Sequence, residues 1–147
     1  MTCPNAARET MTSRLVELPP TVKQGIELFN HREFMEAHHL LQHEWYHEHD
    51  PIRLLYQGIV QIGAAALHVQ RGHWRQALTL FERAKPKFEL CPPVFLGVNV
   101  ERLAKEAQHC EDLVRDLGPD GLPKCDLAHF PVIELRERGG DPHASSN

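Results

Sequence analysis

The chain has no C-x-x-C pair, no dense cysteine framework and no run of basic residues interleaved with aromatics. Each absence removes a class of function. The four cysteines, Cys3, Cys91, Cys110 and Cys125, stand far apart. Such usage suits a reducing compartment, with Cys91 and Cys110 expected as small core residues. Twenty acids outnumber sixteen bases, for a formal net charge of -4. The electrostatic footprint of a nucleic-acid binder is therefore missing. No signal-peptide core opens the chain and no apolar run reads as transmembrane in length, so a cytoplasmic protein with no membrane partner is expected. Phosphate-binding loops, dinucleotide fingerprints and nucleophile elbows are also absent.

What is present points to helices. At 147 residues and 41% hydrophobic content, the chain is long enough for one domain with a real core. The expected division is a flexible leader over 1–18, a single helical domain over 19–138 and a disordered tail over 139–147. After Pro19-Pro20, Thr21 is the expected cap of a first helix over about 21–30, with Val22, Ile26 and Phe29 on one side. Phe34, Ala37, Leu41 and Trp45 mark one face of a second helix over about 33–48. Asp50-Pro51 ends it, and Asp50 is placed to cap the next helix. That third helix, over about 51–71, is apolar on most of its circumference and carries Gly58, Gly63 and three alanines in a row. It is expected at the centre, its small residues letting neighbours come close. A fourth helix is expected over about 73–89, and Asn99 caps a fifth over about 100–117. "CPPVFLGVN" reads as an ordered apolar loop, "GPDG" as a turn and "HFPVIEL" as an extended docking arm. No paired strands are expected. The fold class is all-α: a compact bundle of about five helices.

Residues 28–41 align with 68–81 at an offset of forty, matching Phe34 to Trp74, Ala37 to Ala77 and Leu41 to Phe81. The second copy approaches a tetratricopeptide pattern, so two such helical hairpins around the central helix are predicted. His38 stands where the second copy has Leu78.

The stretch "HHLLQHEWYHEHD" contains a literal H-E-x-x-H, His43-Glu44-Trp45-Tyr46-His47. At about 100° per residue, His38 shares the face of Phe34, Leu41 and Trp45, with Gln42 on its border. Glu36, His39, His43 and His47 fall on the opposite, polar side. A zinc protease also needs a third ligand and an open cleft, and no third-ligand motif follows, so that reading is rejected. The outward ladder His39, His43, His47 is at most a surface chelate for added nickel or zinc. On the central helix, Gln57, Gln61 and His68 form one stripe, extended by Arg53 and Arg71 at its ends. The stripe is either the solvent side of an amphipathic helix or the face that meets His38 and Gln42, where buried imidazole and amide groups would satisfy one another.

"FNHREFMEAHHLLQHEWY", "QGIVQIGAAALHVQRGHWRQALTLFERA" and "PPVFLGVNV" together resemble the domain of unknown function 309 family over roughly residues 24–103. That family is helical and marked by H-x-x-x-E-x-x-W. The resemblance maps its histidine to His38, its tryptophan to Trp45, and its downstream glutamines and histidine to Gln57, Gln61 and His68. It implies a site for which metal binding has been proposed and no activity is established. Here the motif glutamate is Gln42, and the acid that usually follows the motif histidine is His39. An amide in place of a carboxylate removes the hard anionic ligand a metal would use.

The expected function is an interaction or structural module with a buried polar cluster of His38, Gln42, Trp45, Gln57, Gln61 and His68. It would use a protein partner or a second copy of itself, with no cofactor and no catalytic residue. The alternative is a metal- or ligand-binding protein, or an enzyme, around His38, Gln61 and His68, with His38 and His68 as the metal ligands and a divalent metal as the cofactor.

Overall fold

In the computed structural model, which describes residues 17–49 and 51–136, the periodicities become five α-helices and one two-residue strand pair. Helix α1 is Pro20–Asn30, α2 Phe34–Trp45, α3 Ile52–Gln70, α4 Trp74–Glu89 and α5 Val100–Gly121, with β1 Val94–Phe95 and β2 Val98–Asn99 between α4 and α5. The fold is an all-α bundle. The expected leader (to residue 16), the tail from 139 and the cap at Asp50 lie outside the described residues.

Local chemistry sets most of the boundaries. Pro19, not Thr21, is the residue before α1, and Pro20 takes the first helical position. A proline fits there because its fixed φ is helical and its missing N–H would have been unpaired. Leu18 is already buried in the core, so packed structure begins just inside the expected leader. Helix α2 ends at Trp45, three residues short of expectation, where His47 N–H donates to Glu44 O and Glu48 N–H to Trp45 O. These short-range bonds tighten the last turn and close the helix. Asn99 caps α5 as expected, its side-chain oxygen accepting from Arg102 N–H at 3.1 Å. Gly118, with φ 70°, breaks α5 within the "GPDG" segment.

Helix α3 packs against α2 on one side and α4 on the other, and eleven of its nineteen residues are buried. By length and composition it is apolar enough to cross a membrane, contrary to the expectation that no segment is. Its apolar circumference is explained by the helices around it. Gly58 accepts the Phe88 ring: a Cβ there would stand 2.6 Å from Phe88 Cε1.

The forty-residue repeat is present in the backbone. Arg32 (φ 67°) and Gly72 (φ 78°) both take the left-handed conformation after a helix. Arg32 N–H donates to Phe29 O and Glu33 N–H to Leu28 O; Gly72 N–H donates to Val69 O and His73 N–H to His68 O. The same left-handed cap therefore joins α1 to α2 and α3 to α4.

Two segments differ from or refine the sequence expectation. "CPPVFLGVN" is an antiparallel pair, Val94 opposite Asn99 and Phe95 opposite Val98, turned by Leu96 (φ 53°) and Gly97 (φ 86°). Only glycine fits at 97, since a Cβ would lie 2.5 Å from Arg136 O. The "HFPVIEL" segment is the docked arm expected of it. Phe130, Pro131 and Ile133 are buried, and Leu135 bridges to Val98.

Candidate functional site: the polar seam between α2 and α3

The register of the α2–α3 hairpin can be read from its two ends. The Phe34 ring lies 3.8 Å from where a Gly63 Cβ would stand, and Arg53 lies 6.0 Å from the centre of the Trp45 ring. At about 1.5 Å of rise per residue on both helices, His38 falls level with Ile59–Val60, within a residue or two of Gln61, and Gln42 with Leu55–Tyr56. Gln57 and Gln61 are half-buried, as expected for the face that meets α2, while Arg53 at the end of the stripe is exposed.

Four buried side-chain atoms have no hydrogen-bond partner within the described protein: His38 Nδ1, Trp45 Nε1, Tyr56 Oη and Gln61 Oε1. Trp45 is only partly buried, packed on the core at one edge and stacked on Tyr46 with ring centres 5.4 Å apart. His38 is mostly buried, and its Nδ1 is sealed. Burial lowers the proton affinity of His38, His39 lowers it further, and Gln42 beside it partly opposes the shift. The ring is therefore neutral at pH 7. The expected mutual satisfaction of imidazole and amides does not occur at Nδ1 or at Gln61 Oε1.

His68 belongs elsewhere. It lies on the same stripe as Gln61 but about 10 Å further along α3. Since α2 begins level with Gly63, His68 extends beyond its start. Its Nδ1 instead faces His73 Nδ1 at 3.1 Å. The expected pairing of His38 with His68, as hydrogen-bond partners or as metal ligands, thus fails on axial distance.

The H-E-x-x-H residues behave as a surface. His43 and His47 are exposed, their ring centres 5.0 Å apart. His47 lies past the end of α2 and its Nδ1 contacts His43 O at 3.0 Å, so the ladder from His39 is not continuous along one helix.

Three polar residues escaped the sequence reading. Tyr56 is fully buried within an apolar stretch, and burial, with Glu48 and Glu44 nearby, pushes its phenol well above the usual range. Glu111 is 3% exposed on the inward face of α5, bound by Arg115 and by Lys85 at 3.7 Å. Its spacing from Ala107 and Val114 marks it as inward, a signal visible in the sequence. His73 follows His68 across a glycine stop, and that spacing also predicts contact.

The seam offers an indole N–H donor, an amide oxygen acceptor and an imidazole nitrogen that can do either. At Gln42 it carries an amide where a metal-binding motif would carry an acid. Among the described residues no group of three His, Cys, Asp or Glu gathers to hold a metal ion.

Comparison with known families places this seam inside a recognised segment. Residues 22–80 match the family model described as domain of unknown function (DUF309), spanning α1 to α3 and the first half of α4. No curated protein matches the chain.

Proposed function

We propose a binding role, in which the α2–α3 seam takes a small neutral polar molecule through His38 and Gln61. The carrying observation is the orphaned set itself. A buried donor or acceptor with no partner costs about 1–3 kcal/mol, and native proteins rarely leave several together. Unmet donors and acceptors on one seam are completed from outside the chain. The His38 and Gln61 side chains are partly exposed although their unmet atoms lie inside, so a guest enters by a small opening of the seam. A carboxamide or urea-like group, with a donor and an acceptor side by side, matches the chemistry.

The histidines of α2 make the test internal, since His43 is exposed on the far side of the helix from the seam. Titrating acetamide or urea and following the ring nitrogens by NMR should move the His38 signals saturably and leave His43 still. Gln61→Ala should weaken that response. If neither probe shifts His38 more than His43, the binding reading fails and the structural hairpin stands.

A further inference from the structure

The turn between α3 and α4 carries two imidazoles that the seam does not use. His68 lies in the last turn of α3, and His73 immediately precedes α4. Their Nδ1 atoms are 3.1 Å apart and their ring centres 5.2 Å. The backbone holds them there: His73 N–H donates to His68 O at 2.8 Å around the left-handed Gly72. In such a cap, the side chains at the two ends of this bond meet, and they are commonly apolar. The first copy of the repeat has Leu28 and Glu33 at these places, with the same bond at 2.9 Å. Only the second copy presents two ligand-capable rings.

As a hydrogen bond, the pair uses one N–H and one lone pair. If both protons reside on Nε2, both Nδ1 lone pairs are free to bind one ion. With metal–nitrogen bonds of about 2.0–2.1 Å, the observed separation subtends roughly 95–100° at the ion. That lies between octahedral and tetrahedral angles, and each ring turns so that its Nδ1 lone pair meets the ion. Neutral imidazole suits zinc, nickel and copper, not magnesium or calcium.

We propose that His68 and His73 form a two-nitrogen site for a borderline divalent transition metal, which staples the end of α3 to the start of α4. No third His, Cys, Asp or Glu joins them among the described residues, so solvent supplies the remaining positions. His73 is exposed, giving the ion a path in, and its side chain makes no cap bond to α4 that a metal would displace.

The competing chelate is the exposed His43–His47 pair, so the experiment removes it. Untagged full-length chain carrying His43→Ala and His47→Ala is titrated with Zn²⁺ by calorimetry, and the histidine ring nitrogens are followed by NMR. One equivalent should bind, with the Nδ1 signals of His68 and His73 shifting and the thermal midpoint rising with zinc. Adding His73→Ala, which removes an exposed side chain, should weaken zinc about tenfold or more and abolish the rise in midpoint. His68→Gln should do the same. Zinc uptake that is lost in the His43/His47 background, or that is indifferent to His73→Ala, overturns the site.

Discussion

Gly58 and Gly63 sit little more than a turn apart on α3 and face different neighbours. A Cβ at Gly58 would meet the buried Phe88 ring at 2.6 and 2.9 Å, whereas at Gly63 the nearest atoms, from Phe29 and Phe34, stand at an ordinary 3.8 Å. Alanine favours the helix over glycine by roughly 0.8–1 kcal/mol, and overpacking a tight core costs about 1–3 kcal/mol. Gly58→Ala is therefore expected to lower stability by about 1 kcal/mol and Gly63→Ala to raise it by up to about 1 kcal/mol. Urea denaturation of the two variants beside the parent measures both. Equal midpoints for Gly58→Ala and the parent would mean that Phe88 moves aside at no cost.

At the scale of elements, the arm after α5 is held by two side chains at the first helix stop. Asn30 Nδ2 donates to Ile133 O at 3.0 Å, and Asn30 Oδ1 accepts from Ile133 N–H at 2.8 Å. The Arg32 guanidinium donates to Phe130 O at 2.7 Å and Pro131 O at 2.9 Å. An amide at 30 thus supplies the arm with a strand-like partner, and Arg32 satisfies carbonyls that would otherwise be buried alone. Arg32→Gly separates two effects, because glycine relieves the positive φ while the anchors are lost. The expected result is faster amide exchange at Ile133 and Glu134 than in the parent, with α3 amides unchanged. Undiminished protection of the arm would assign its docking to Phe130 and Ile133 burial alone.

For the whole molecule, acid should act in two stages. His38 has a folded-state proton affinity below its ordinary value of 6.5, from burial first and then His39, against the opposing Gln42. The unfolded chain therefore binds the extra proton first, and stability declines as the pH drops below about 6.5 and through the lowered folded value. Glu134 is held below its ordinary 4.5 by Asn99 first, with Arg136 and Arg102 adding to the shift. Its contribution is present above 4.5 and is lost as the pH falls further. Denaturation midpoints at pH 8, 6 and 5 should fall in that order, and His38→Gln should flatten the step below 6.5. A midpoint that rises between pH 8 and 5 would contradict the lowered affinity of His38.

The sequence by itself determined what depends on neighbours along the chain. Helical periodicity set the five helices, the Asn99 cap and the outward direction of His43; the forty-residue echo anticipated matching helix stops; small residues marked α3 as central. The resemblance carried by the segments around His38 and Gln61 located the family match. Only the tertiary structure decided distances along a helix axis and between elements remote in sequence. A helical wheel collapses the axis, so Gln61 and His68 coincide on it although about 10 Å separates them. Hence His68 meets His73 instead of His38. The pairing of Glu111 with Lys85, the turn of Leu96 and Gly97 against Arg136, and the unmet atoms of Trp45 and Tyr56 likewise depend on which element lies opposite and at what level. Periodicity specifies which way a side chain points; the register of packed helices specifies what it meets.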